Sequence, residues 1–233
     1  MPHLFAAPLH YTQCGYIVNA YSEPTEPGRT ARHSNLSTLD PLARGPGCHS
    51  VAGLGGSVLL FNAHWGPGEL MASMRNGQGD QWFALINASG IILFGLDHES
   101  PMYRPDDPWP GVLDGIPPEF APFRDEPAFD TRNTTFCIWR RAAAPAWEHG
   151  PVHFPPGDDP DGAARLLRHL DGRPETYVTF AAEYYEVAVP LDAVAAIYRH
   201  EPLTDALVAR LNPTLDVHDL ASDLAEIEFP ESR

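Results

Sequence analysis

Asp97-His98-Glu99-Ser100 sets an imidazole between two carboxylates, the residue types that hold a divalent cation or move a proton as general base. Neighbouring residues on an extended strand point to opposite faces, so the triplet cannot converge on one ion without a bend. No HxH, HExxH or CxxC spacing supplies further ligands. The expectation is a polar strand end with His98 bonded locally, and no metal site. Asp158-Asp159-Pro160-Asp161-Gly162 lacks the spacing of a calcium loop and the bidentate Glu that should follow. Carboxylates ahead of a helix already favour its positive end, by about 0.3 to 1 kcal/mol each, so capping explains this run. Gly53-Leu54-Gly55-Gly56-Ser57 is neither a phosphate-binding loop nor a nucleophile turn, and His49 beside it in sequence makes no triad. Glu183 and Glu186 are three apart and would share a solvated helical face, a contact suited to an arginine-rich partner.

The elements that must position these residues fall into two halves. Val58-Leu59-Leu60-Phe61 reads as strand or as buried helix. Residues 81–86 and 91–95 are two apolar, β-branched and aromatic runs joined by a four-residue turn, Asn87-Ala88-Ser89-Gly90. They predict a hairpin buried on both faces. Phe136 to Arg140 predicts a third strand, with Cys137 an inert core thiol. Between them, residues 101–130 hold eight prolines and no periodic pattern, which predicts an excursion over the surface.

The C-terminal part is helical by pattern. Asp159-Pro160 would open a helix closed by Gly172, with Leu166, Leu167 and Leu170 inward. Tyr177, Phe180, Ala181, Tyr184 and Ala188 form an aromatic stripe at helical spacing. Pro190 opens a third helix with Leu191, Val194, Ile197 and Tyr198 inward. Pro202 opens a fourth along Leu203, Leu207 and Leu211, and Asp216 caps a fifth carried by Val217, Leu220, Leu224 and Ile227. The expected fold class is α+β: a β-rich N-terminal half with a buried hairpin at about 81–95, and a helical C-terminal half at about 160–228. Residues 1–233 read as one domain, with 22–50 a long loop or mobile arm.

All 15 basic residues are arginines, against 31 acidic ones, and the net charge is -16. Such a surface repels nucleic acid and anionic lipid and attracts basic proteins. The arginines are dispersed, so no basic stripe can track a phosphate backbone. No apolar run reaches the roughly 20 residues of a membrane span, and Met1-Pro2-His3-Leu4-Phe5 has no charged start or apolar stretch of a secretory signal. A cytoplasmic, bacterial setting is expected, without cofactor, nucleic acid or membrane. Cys14, Cys48 and Cys137 are too scattered for a disulfide framework.

Gly79 to Leu85, Asp97 to Ser100, Pro108 to Asp114 and Thr135 to Arg140, continued by Asp158 to Gly162, Glu183 to Glu186 and Leu211 to Pro213, resemble a family of stand-alone bacterial proteins across roughly residues 76–230. Small, acidic and without a catalytic signature, the chain is similar in type to immunity proteins that neutralise bacterial toxins. That likeness implies a binding protein rather than an enzyme, its partner a basic toxin.

Residues 97–130 hold nine acidic residues and two arginines, interleaved with Tyr103, Trp109, Phe120, Phe123 and Phe129. Prolines lower the entropy lost on docking, aromatics anchor, and carboxylates steer. The expected partner-binding residues are Asp97, Glu99, Asp106, Asp107, Trp109, Glu183 and Glu186. The competing expectation is a metal-assisted hydrolase using His98 and nearby carboxylates.

Overall fold

A computed structural model describes residues 58–184, 186–227 and 229. The arm expected at 22–50, together with Cys14, Cys48, His49 and Gly53 to Ser57, lies outside these residues. The fold is α+β: an antiparallel sheet in the first half, helices behind it. The six-stranded sheet is a meander in which every strand pairs with its sequence neighbours. Its strands are β1 (Val58–Gly66), β2 (Glu69–Arg75), β3 (Gln81–Asn87), β4 (Gly90–Leu96), β5 (Phe136–Arg141) and β6 (Glu148–His149).

The apolar runs at 81–86 and 91–95 are the central hairpin, β3 and β4, buried almost end to end. The turn is tighter than expected. Asn87 pairs with Gly90, leaving Ala88-Ser89 at the tip, and the Asn87 side chain accepts the Ser89 N–H. The 58–61 run resolves as strand and is longer than the apolar run alone, because β2 supplies its ladder. Met71, Ala72 and Met74 make β2 a strand without β-branched residues. It is held by pairing on both sides, a case of partners overriding propensity.

Side chains alternate along the strands, which builds two cores. Trp82, Ala84, Ile86, Ile91, Leu93 and Phe136 face the C-terminal helices. Phe83, Leu85, Ile92, Phe94, Cys137 and Trp139 face the other way, onto the proline-rich segment. That segment is therefore not a surface excursion. Met102, Val112, Phe120, Phe123 and Phe129 from it are buried, and Phe129 lies 5.0 Å from the Phe83 ring. Short 3-10 turns and α1 (Ala121–Arg124) bring these aromatics in at irregular spacing, which is why no period announces them.

The helical layer comprises α2 (Ala163–Leu167), α3 (Pro174–Tyr184), α4 (Leu191–Tyr198), α5 (Asp205–Leu211) and α6 (Ala221–Glu226). The first of these starts later than Asp159-Pro160 suggested. Asp159 still caps it, its carboxylate accepting the N–H groups of Ala164 and Arg165 from three residues ahead of the Gly162 N-cap. In α3 Tyr177, Phe180 and Ala181 are buried as expected, whereas Ala188 lies beyond the helix and is exposed. The inward face of α4 is Ala193, Val194, Ala196 and Ile197; Leu191 is 43% exposed and Tyr198 half-buried. Alanines let this helix approach closely and rotate Leu191 to the outside. Thr204, not Pro202, caps α5, and Leu203 is buried before that helix begins. Asp216 and Asp219 form the capping box ahead of α6, with Leu220, Leu224 and Ile227 buried. Among the described residues no helix is long and apolar enough to cross a membrane.

Candidate functional site

The hairpin register decides which polar residues meet. Gln81 pairs with Leu96 at the open end of β3–β4, so the next residues outward, Asp80 and Asp97, emerge side by side. Both are nearly inaccessible, at 3% and 6% exposure. Two carboxylates buried together repel unless cations and donors are placed between them. Arg165 from α2 does this. Its Nη2 lies 3.0 Å from Asp80 Oδ2 and 2.8 Å from Asp97 Oδ2. His98 Nδ1 lies 2.6 Å from the other Asp80 oxygen, and the His98 N–H donates to that same oxygen at 3.1 Å. Asn76 Nδ2 donates to Asp80 at 2.8 Å, and the Glu99 N–H donates to Asp97 at 3.0 Å.

The backbone is shaped to allow this. Gly162 has φ 77°, and a side-chain carbon there would overlap the Asp97 carboxylate. Gly79, at φ 114°, leaves the His98 ring room that a Cβ at 3.0 Å from its Cγ would crowd. Thr135 ties the same corner: its Oγ1 accepts the Asp97 N–H at 3.0 Å and donates to the Asp161 carbonyl at 2.7 Å. Ser100 Oγ donates to the Pro160 carbonyl at 2.6 Å. The sheet end and the start of α2 are therefore one hydrogen-bonded unit.

Charge states follow from these contacts. Burial works to raise the Asp80 pKa, but the hydrogen bonds from His98 and Arg165 outweigh it and hold the carboxyl below its usual range. The bond to Asp80 raises the His98 pKa. For Arg165 burial acts downward and is overcome by Asp97 and Asp80, so the guanidinium stays charged. Burial pushes the Asp161 carboxyl up, and the Cys137 thiol is pushed up by the same cause, as an inert core thiol requires.

Chemically, Asp80, Asp97 and His98 place one ligand atom each within 4.8 Å of one another, a spacing that could hold a metal. The triplet Asp97-His98-Glu99 does not itself converge: Glu99 is exposed, and Asp80 takes its place. Arg165, bonded to both carboxylates, already supplies the countercharge. A cation would have to displace a guanidinium, which fits a metal centre poorly. The outward edge of His98, 38% exposed, makes no hydrogen bond to a hydroxyl or thiol among the described residues. The cluster serves best as a strut between sheet and helix. No family model, curated protein or solved structure matches this chain.

The other expected binding residues scatter. Asp97 is spent inside the strut. Glu99, Asp106 and Asp107 are exposed on the proline-rich side, Asp106 3.6 Å from Arg132 and Asp107 paired with Arg104. Trp109 is half-buried, its Nε1 donating to the His153 carbonyl at 3.0 Å. Glu183 sits in the last turn of α3, whereas Glu186 lies past the helix end at φ 56°, so the two do not share a helical face. Asp80 and Arg165 were missed. Asp80 had a signal: any hairpin pairing residue 86 with 91 also brings 80 opposite 97. Arg165 had none, since only packing of α2 on the sheet end selects it.

Proposed function

We propose that this chain is an acidic protein-binding protein, an immunity-type inhibitor that occludes a basic toxin enzyme in the bacterial cytoplasm. The observation that supports it is a stiff acidic surface. The segment after β4 is pinned by buried Phe120, Phe123 and Phe129, while Glu99, Asp114 and Glu119 stay exposed and form no ion pair among the described residues. Prepositioned carboxylates lose little entropy on docking and steer a cationic partner from a distance. The aromatics anticipated as anchors are inward, so carboxylates carry the recognition, with Trp109 at its edge. Toxin neutralisation then works by covering the basic substrate groove of the toxin, without chemistry by this chain.

Purification from the native host at low ionic strength tests the reading. A stoichiometric basic protein, inactive in the complex and active once released, is the expected result. A second reading, the metal-assisted hydrolase, draws on the convergence of Asp80, Asp97 and His98. Equilibrium dialysis with Zn²⁺ and Mn²⁺ decides between them. The inhibitor reading predicts no stoichiometric binding; one bound ion, lost in Asp80→Asn, would favour the hydrolase.

A further inference from the structure

Beside the strut, between the β2–β3 turn and the end of α2, the surface opens into a cleft of about 280 Å³. Its floor is apolar: Met74, Trp82, Leu170 and Phe180. Its rim is not. Arg165 and Arg168 are three apart, across α2 and the 3-10 turn Arg168–Leu170 that continues it, and both line the opening. Among the described residues no carboxylate lines the cleft, in a chain where acidic residues outnumber basic ones 31 to 15.

Donor capacity is left over at this rim. Arg165 uses Nη2 for both aspartates, and its Nη1 and Nε make no hydrogen bond among the described residues. Arg168 donates from Nε to His169 Nε2 at 2.9 Å, and its terminal nitrogens bond to nothing described. Gln78 is exposed at the turn and its carboxamide is likewise uncommitted, unlike Asn76, whose side chain is held by Asp80 and by the Gln78 and Asp80 N–H groups. A guanidinium offers planar paired donors that match a carboxylate. Apolar walls with a few convergent polar groups are the make-up of a small-molecule site.

We propose that this cleft binds a small organic anion, a carboxylate on an aromatic or branched apolar body. The carboxylate lies on Arg168, Arg165 and Gln78, and the body against the accessible edges of Met74, Leu170 and Phe180. The site goes beyond the protein-binding reading and does not depend on it.

Isothermal titration of the full chain tests this, using 1-naphthoate as probe, 1-naphthalenemethanol as the uncharged control and acetate as the headgroup alone. Expected is saturable one-to-one binding of naphthoate, about tenfold or more weaker binding of the alcohol, and none of acetate. Arg168→Gln and Gln78→Glu should each weaken naphthoate by about tenfold. The second variant is on an exposed turn and leaves packing untouched. Absence of saturable naphthoate binding, equal binding of the alcohol, or an affinity unchanged in both variants would overturn the assignment.

Discussion

Arg165 is the residue on which the candidate site turns. One guanidinium nitrogen holds two buried aspartates that would otherwise repel each other across the end of a hairpin. Removing one partner of a buried ion pair costs about 3 to 5 kcal/mol. Arg165 is 45% exposed, so Arg165→Met should cost less, about 2 to 4 kcal/mol, read from urea unfolding midpoints. The Asp80–His98 pair adds a pH signature. The folded pKa of Asp80 is depressed below 3.8, so its contribution is present above that value and is lost as acid reaches the lower folded pKa. The folded pKa of His98 is raised above 6.5. Its contribution is complete below 6.5 and fades as pH rises through the folded value. Stability from the pair should therefore be greatest between these limits. In Asp80→Asn the His98 midpoint, followed by NMR, should fall toward its ordinary value and the alkaline slope of stability should flatten.

At the scale of elements, the start of α2 must fit against the Asp97 carboxylate, and Gly162 makes that possible. Gly162→Ala puts a side chain on a left-handed residue and into Asp97. It should destabilise by at least about 1 kcal/mol and lower the thermal midpoint. On the opposite face, Phe129 is 2% exposed and packs on Phe83, Phe94 and Trp65. Phe129→Ala should cost about 3 to 5 kcal/mol and loosen the acidic segment, visible as faster amide exchange from 118 to 133. The hairpin was legible because unbroken apolar runs report burial on both faces. The helices were legible from caps and spacing at Asp216, Leu220 and Leu224, and less so at Leu191, because the inward face of its eight-residue helix is half alanine and offers few large side chains to mark it. Strand β2 was illegible because methionine and alanine carry little β preference. The second core was hidden because its aromatics arrive on turns with no repeat. Of the strut, His98 and Asp97 were visible as residues but not as a unit, since register supplies Asp80 and tertiary packing supplies Arg165.

For the whole molecule, the governing quantity is charge. A net -16 carried largely by exposed carboxylates gives a field that accelerates encounter with a basic protein and is screened over roughly 8 Å at physiological salt. The strut is internally neutralised by Arg165 and, when protonated, His98, so on the proposed inhibitor reading recognition falls to carboxylates such as Glu99, Asp114 and Glu119. The measurement that reaches this most directly is the association rate of the basic partner that the proposed reading expects from low-salt purification, followed across a salt series for the native chain and for the triple variant Glu99→Gln, Asp114→Asn, Glu119→Gln. The inhibitor account predicts a rate that falls steeply as salt rises, and a triple variant that associates about tenfold or more slowly at low salt with a flatter salt dependence. A rate indifferent to salt, or a triple variant that associates as fast as the native chain, would contradict it.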